Sequence, residues 1–185
     1  MTQTQNPLRG TLGVGPAGDF RIRFERVLAH APGRVWAWIA EPERLERWLP
    51  GCAIDTRVGG AVRFDFGDEG AATGVVSEAE PPGERGLLVH GWSWEGVPDS
   101  VVRWTLEPVP EGTLLTLVHG ELEPEPAADF ATDFATGWHV MLDALALDLE
   151  GGSADAAWAR IGEVAALYAG SSEASGASEA PVPES

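Results

Sequence analysis

The stretch FERVLAHAPGRVWAWIAEPERLERWLPGCAIDTRVGGAVRFDF, residues 24–66, decides the fold of this chain. It continues a strand, because apolar and charged residues alternate over Phe20–Leu28. Pro32 and Pro42 each suit the first turn of a short helix. Gly59-Gly60 then indicates a tight hairpin between two strands. We expect the two helices to bury Val35, Trp36 and Ile39 in the first and Leu45, Trp48 and Leu49 in the second.

The rest of the chain predicts a strand meander followed by one long helix. Turn residues such as Pro81-Pro82-Gly83 separate short segments of alternating apolar residues. From 124 to 150, large apolar residues recur every three or four positions, which is typical of an amphipathic helix. The fold class is therefore α+β, with a curved antiparallel sheet wrapped round a long C-terminal helix. The predicted strands after the two short helices are 52–58, 61–67, 71–80, 86–95, 99–108 and 113–120.

Four parts of the chain differ in composition. Residues 1–18 are rich in Gly, Thr, Gln and Pro, and we expect a flexible arm with at most one short extended piece. Residues 19–152 form the main domain, and 153–169 add an accessory C-terminal helix. Residues 170–185 consist mainly of Ser, Ala, Glu, Pro and Gly, which predicts a disordered acidic tail.

Charge and composition exclude several classes of function. The formal net charge of −17 argues against nucleic acid and anionic membranes as partners, because both need clustered cations. The basic residues are all Arg, so the chain offers no lysine for a Schiff base or a phosphate-binding loop. Cys52 is the only cysteine, so no intrachain disulfide can form and a reducing cytoplasm is the expected location. No apolar run approaches the roughly 20 residues that span a bilayer.

Several motifs together resemble the START-like (SRPBCC) superfamily with its helix-grip fold. Within it the chain is similar to the single-domain bacterial type of the activator-of-Hsp90-ATPase homologue. The resemblance covers about residues 20–150, and it implies a cavity between sheet and long helix that hosts ligands in some members and cyclase-like chemistry in others. The motifs are Phe24-Glu25-Arg26, Val35-Trp36, Pro42 to Trp48, Arg57 to Gly60, Phe64, Gly74 with Pro81-Pro82, Trp92-Ser93-Trp94, Gly112 to Leu117, and Gly137-Trp138 with Leu142.

Strand and helix periodicity identify the side chains that would line this cavity. On each strand we take the bulkier face to point toward the long helix. An apolar wall with a few polar groups suits a small hydrophobic or aromatic ligand, which is the leading interpretation. The candidate ligand-binding residues are Trp48, Phe64, Phe66, His90, Trp92, Trp94, Trp104, Leu115, Leu117, His119, Phe134, Trp138 and Met141.

His90 and His119 also carry the main alternative. Both are predicted on the cavity face, where an imidazole could orient a ligand or act as acid or base in a cyclase-like or hydrolase-like enzyme. His139 is expected to face away from the core. The histidines lack metal-ligand spacing, so no metal or other cofactor is predicted. A third interpretation is a chaperone-related or other protein-interaction module, and a homodimer or another protein partner stays open.

Overall fold

The computed structural model describes residues 8–15, 18–122 and 128–169. The predicted fold class is confirmed, because a curved antiparallel sheet packs against one long helix. The strands are β1 (Thr11–Val14), β2 (Phe20–Leu28), β3 (Ala53–Ile54), β4 (Ala61–Asp65), β5 (Ala71–Glu80), β6 (Gly86–Trp94), β7 (Val97–Val109) and β8 (Gly112–Leu122). The helices are α1 (Pro32–Ala40), α2 (Pro42–Trp48), α3 (Ala128–Leu149), α4 (Asp155–Trp158) and α5 (Ile161–Tyr168), and a 3₁₀ turn covers Gly67–Glu69.

The described strands form one eight-stranded sheet in the order β1-β2-β8-β7-β6-β5-β4-β3. Strand β2 therefore lies between β1 and β8, and α1 and α2 connect β2 to β3 at the far edge of the sheet. Strands β5 and β6 approach each other closely at Gly74 and Gly91, since a Cβ on Gly74 would collide with the carbonyl oxygen of Gly91. The pairing of β5 with β6 also shifts register between Val76 and Glu78. Close backbone approach and such irregularities curve a sheet around its contents.

The long helix α3 lies against the concave face of this sheet. One stripe of buried positions, from Ala131 to Leu149, steps by three or four residues, as in an amphipathic helix. Positions 138–142 are all buried, because α2, α4 and α5 also contact this helix. Gly151, with φ of +82°, follows its last turn in the left-handed conformation that glycine tolerates. The predicted start of this helix at residue 124 lies outside the described residues. The buried helix positions are Ala131, Ala135, Thr136, Trp138, His139, Val140, Met141, Leu142, Ala144, Leu145, Asp148 and Leu149.

Two local predictions between residues 32 and 58 were wrong. The first helix buries Trp38 rather than Trp36, and Arg34 and Arg44 lie over the Trp38 ring at 4.7 and 4.3 Å. Strand 52–58 is reduced to Ala53–Ile54, because Asp55 bonds the main chain and side chain of Arg57 and closes a turn there.

The accessory C-terminal segment is two short helices instead of one. Arg160, with φ of −97° and ψ of 8°, leaves helical geometry between α4 and α5. Helix α5 buries Val164 and Tyr168 and leaves Ile161 exposed. The strand β1 falls in the stretch that was expected to be an arm with one short extended piece, and it pairs with β2. Among the described helices, none is long and apolar enough to cross a membrane.

Candidate functional site

Ten rings from the sheet and α3 form a continuous aromatic cluster at the sheet–helix interface. We define this aromatic cluster by ring contacts whose centroids lie 5.1 to 6.5 Å apart. Alternation along β4, β6, β7 and β8 aims one set of rings at α3, and the stripe of α3 supplies the others. The members are Phe64, Phe66, His90, Trp92, Trp94, Trp104, His119, Phe130, Phe134 and Trp138.

Trp92 on β6 is the centre of the cluster. Its indole contacts Phe64 at 5.1 Å and Trp138 at 5.2 Å, both in tilted geometry. It also stacks on Trp94 with an interplanar angle of 7°, although 6.4 Å separates the ring centroids. The contacts join β4, β6 and α3, so this one residue links the sheet to the helix.

The cluster runs from the core to the surface. Trp92 is only 3% exposed, and Trp94, Phe66 and Phe134 next to it are half-buried. Phe130, one turn before Phe134 on α3, is 37% exposed. Apolar surface of this kind lies at the N-terminal end of α3, close to the end of β6. An apolar molecule that approached there would contact aromatic rings from the surface to the core.

His119 on β8 is held in one tautomer by its neighbours. The indole Nε1 of Trp138 donates to His119 Nδ1 over 3.0 Å, so Nδ1 is the acceptor. The proton therefore lies on Nε2, which is 2.7 Å from the hydroxyl of Ser100. The Ser100 hydroxyl in turn donates to the main-chain oxygen of Trp92 over 3.3 Å. Burial, with a smaller effect from His90, lowers the pKa of His119 to about 3, so the ring is neutral at pH 7.

His90 on β6 is held in the same way with the opposite tautomer. Trp104 Nε1 donates to His90 Nε2 over 3.1 Å, and Nδ1 lies 2.9 Å from the carbonyl oxygen of Gly91, to which it donates. Burial lowers the pKa of His90 to about 4, against the raising effect of the Gly91 hydrogen bond. All four ring nitrogens of His90 and His119 are thus used within the protein. Neither ring offers a free lone pair to a substrate in this arrangement.

Most of the predicted site residues lie in or beside the aromatic cluster. Leu115, Leu117 and Met141 are buried in the same core. Trp48 belongs to a different group, because its indole donates to the Trp38 carbonyl at 3.0 Å and its own carbonyl accepts from Trp158. Phe130 is part of the cluster, although the sequence-based list of site residues did not include it. Its spacing of four from Phe134 was the available signal.

The sequence-based predictions also missed a buried polar network on the β2 side of α3. His139 was expected to face away from the core, but it is buried and its Nδ1 lies 2.8 Å from the Tyr168 hydroxyl. That hydroxyl accepts from the main-chain N–H of Gly10 over 2.9 Å. On the other side of the ring, His139 Nε2 is 3.4 Å from Asp143, and Asp143 pairs with Arg26 at 3.3 Å. The helical spacing could have predicted this burial, because His139 lies four residues after Ala135 and three before Leu142, which are both buried.

The charges within this network offset one another. Burial acts to raise the pKa of Asp143, but the hydrogen bonds and charges of His139 and Arg26 outweigh it and hold that pKa below its usual value. Burial raises the pKa of Tyr168, so the phenol stays protonated and can donate to His139. Asp, His and Tyr stand in a line that resembles a catalytic relay, yet Tyr168 is fully buried and its oxygen already binds Gly10. The arrangement therefore joins Gly10 and α5 to the core.

Metal binding has little support in the described parts of the chain. No group of three or more His, Cys, Asp or Glu side chains there could hold a metal ion. Cys52 is buried, and burial raises the pKa of its thiol to about 11, which leaves it protonated and unreactive.

The fold and the aromatic interface define a START-like, helix-grip domain. The family model described as Activator of Hsp90 ATPase homolog 1-like protein matches residues 29–150. The chain belongs to this family.

Solved structures share the fold. CalU16 from Micromonospora echinospora is 27% identical, with a TM-score of 0.67 over 87% of this chain and 95% of that one. CV1439 from Chromobacterium violaceum is 32% identical, with a TM-score of 0.55 over 70% of this chain and 96% of the other. DynU16, described as a putative protein in the dynemicin biosynthetic locus, is 29% identical with a TM-score of 0.63, over 72% of this chain and 49% of DynU16. A search of curated proteins found no match.

Proposed function

We propose that this protein binds a small hydrophobic or aromatic molecule between the concave face of the sheet and α3. The observation that carries the proposal is the unbroken series of ring contacts from exposed Phe130 through Phe134 to buried Trp92. Exposed aromatic surface continuous with a buried aromatic wall is what an apolar binding site requires. The family's fold supports the same interpretation, since its members enclose space between sheet and helix.

The ligand would enter at the N-terminal end of α3. Phe66, Trp94 and Phe134 are half-buried there, so side-chain rotation can open a path without moving the sheet. The rigid inner wall is Phe64, Trp104 and Trp138, which are almost fully buried. Such a site would prefer a planar molecule, because flat rings stack on aromatic side chains.

The enzyme alternative makes a further demand on His90 and His119. Either ring would have to break a hydrogen bond with a tryptophan or with the protein before it could accept a substrate proton. Burial also lowers both pKa values to about 4 and about 3, which makes each imidazole a weak base at pH 7. Ligand binding makes no such demand, and it is the function that we favour.

Two measurements test the proposal. Native mass spectrometry of protein purified from its own host should reveal a retained small molecule, and it reports the oligomeric state at the same time. A titration with the fluorescent probe N-phenyl-1-naphthylamine should show saturable binding with a stoichiometry of one. A protein that retains nothing and shows no saturable probe binding would contradict the proposal.

A matched pair of variants on α3 locates the site. Phe134→Glu places a charge within the aromatic cluster and should weaken probe binding by at least tenfold, because burying a carboxylate among rings is costly. Leu147→Glu places the same charge on the same helix at a position outside the cluster that is 37% exposed, and should leave binding unchanged. Equal effects of the two substitutions would place the probe elsewhere.

A further inference from the structure

The indole N–H of Trp92 is a buried donor without an acceptor. Among the described residues, Trp92 Nε1 and Arg26 Nε are the buried side-chain nitrogen or oxygen atoms that lack a hydrogen-bond partner. The other buried indoles each donate to an acceptor: Trp38 to Asp148, Trp48 to the Trp38 carbonyl, Trp104 to His90 and Trp138 to His119. Trp92 is therefore the exception among the buried indoles of the described residues.

The ring neighbours of Trp92 have no acceptor to spare. His119, whose ring is 5.3 Å away, accepts at Nδ1 from Trp138 and donates at Nε2 toward Ser100. The other rings around Trp92 are Phe64, Phe134, Trp94 and Trp138, and none of these side chains carries a conventional acceptor. A buried N–H that stays unpaired costs free energy, and buried polar groups in folded proteins are paired as a rule. An acceptor from outside the described protein atoms would pair this donor.

The position of this donor suits a ligand. Trp92 is the centre of the aromatic cluster, and its stacking partner Trp94 and its edge contact Phe134 are the half-buried residues of the proposed entrance. The cluster consists of Phe and Trp rings and two histidines, and no carboxylate or guanidinium group belongs to it. Such surroundings favour an uncharged acceptor, since a carboxylate would be buried without a cation.

We propose that the ligand is an uncharged planar aromatic compound with a carbonyl-type oxygen, which accepts a hydrogen bond from Trp92 Nε1. This inference rests on the proposed function and narrows it to a class of ligand. Trp92 then determines specificity: rings of the cluster bind the hydrocarbon part, and the indole N–H selects molecules that carry an acceptor. An aromatic hydrocarbon of the same shape would leave the donor unpaired and bind less tightly.

Two probes of nearly equal shape test the inference on the wild-type protein. 9-Fluorenone carries a carbonyl where fluorene carries a methylene, and the hydrophobic effect alone favours fluorene. We expect fluorenone to bind about 3- to 10-fold more tightly, as one additional hydrogen bond gives. The carbonyl stretch of bound fluorenone should fall below its frequency in hexane, which reports the hydrogen bond directly. The pair 1-indanone and indane repeats the comparison with smaller molecules.

Two tryptophan variants assign the preference to one residue. Trp92→Phe removes the donor and keeps a ring, so it should abolish the preference for fluorenone while fluorene binds within about twofold of wild type. Trp158→Phe is the matched control, because its ring lies outside the aromatic cluster and its indole N–H bonds the Trp48 carbonyl, so the preference for fluorenone should persist. Thermal melting checks that both variants fold. If Trp92→Phe does not fold, the comparison of fluorenone with fluorene on the wild-type protein tests the inference by itself.

The outcomes separate the two proposals. Equal binding of fluorenone and fluorene by wild type, with an unshifted carbonyl stretch, would overturn the role of Trp92 and leave the proposed function intact. A preference that survives in Trp92→Phe would also overturn it. Failure of both ketones and both hydrocarbons to bind would overturn the proposed function, and this inference with it.

Discussion

Trp138 on α3 donates a hydrogen bond from its indole Nε1 to Nδ1 of His119 on β8 over 3.0 Å. This bond crosses from the helix to the sheet, and it fixes which nitrogen of His119 carries the proton. The second ring nitrogen can then donate only toward Ser100 on β7. A histidine that looked available for chemistry is thereby part of the connection between α3 and two strands.

Replacing His119 should destabilise the fold. His119→Phe removes the acceptor of Trp138 and the donor to Ser100, and leaves a buried indole N–H unpaired. We expect the free energy of unfolding in urea to fall by about 1–3 kcal/mol. His119→Gln is the matched control, because an amide can accept from Trp138 and donate to Ser100, and it should lose less. A His119→Phe variant as stable as wild type would show that the bond contributes nothing.

Stability should depend on pH through the two buried imidazoles. Burial lowers their pKa values in the folded protein to about 4 for His90 and about 3 for His119, whereas an unfolded histidine titrates near about 6.5. Between these values the unfolded chain binds protons that the folded protein does not. The free energy of unfolding therefore falls as pH falls from about 6.5 toward about 4, by up to about 1.4 kcal/mol per pH unit for each ring.

The same control variant isolates this effect. His119→Gln removes one titrating group and keeps every carboxylate, so urea unfolding between pH 7 and about 4.5 should show a shallower slope than in wild type. An identical slope would mean that His119 takes up its proton equally well in both states, and would contradict its burial as a neutral ring.

Truncating Trp138 should cost more than any single polar change. Its ring is almost fully buried and touches Phe64, Trp92 and Trp104. Trp138→Ala should lower the free energy of unfolding by roughly 3–5 kcal/mol, as other large aromatic truncations in cores do. Phe130→Ala, on the exposed end of the same helix, should cost far less. A loss below about 1 kcal/mol for Trp138→Ala would contradict the packing of α3.

Periodicity predicted which way these side chains point, because a strand repeats every two residues and a helix every 3.6. Alternation along β8 and β6 placed His119, His90 and Trp92 on the concave face, and the structure buries all three there. Choosing between Trp36 and Trp38 was harder, because both lie in one short helix. The choice depends on how α1 docks on α3, where Trp38 Nε1 reaches Asp148 at 2.7 Å.

Hydrogen-bond partners were not predictable from local pattern. Ser100 meets His119 because β7 pairs with β8 in a register that sets Val101 opposite Gly120 and Val102 opposite His119. The polar network is still less local, since the bond between Gly10 and Tyr168 joins residues 158 positions apart. The tautomers, and with them the weak basicity of both histidines, follow from such long-range contacts and could not be read from the sequence.

Residues 171–185 lie outside the described structure, and their composition supports a prediction of its own. They contain three Glu and few apolar residues, so they have little to bury in exchange for becoming ordered. Deleting them should leave the melting temperature and the affinity for N-phenyl-1-naphthylamine unchanged. A clear fall in melting temperature would show that this segment packs on the domain.

Removing the hydroxyl of Tyr168 should, by contrast, destabilise the domain, because this hydroxyl links Gly10 and α5 to α3. Its hydroxyl accepts from Gly10 and donates to His139, so Tyr168→Phe leaves a buried N–H and a buried ring nitrogen unpaired. We expect a loss of about 1–3 kcal/mol in the free energy of unfolding. Ile161→Ala is the control on the same helix, since Ile161 is 45% exposed and its truncation should be nearly neutral.

The N-terminal segment should report the loss most directly. Gly10 packs so closely on Phe24 that an added Cβ would collide with the ring, so the segment is positioned by this contact and by the Tyr168 hydroxyl together. In Tyr168→Phe, the Gly10 amide should exchange its hydrogen much faster. The exchange rates of amides in the centre of β8 should change only as far as the global stability changes. Gly10→Ala should have the same effect on the segment, and combining the two substitutions should cost less than the sum of each alone. Unchanged exchange at Gly10 in Tyr168→Phe would show that the hydroxyl does not hold the chain's first strand in place.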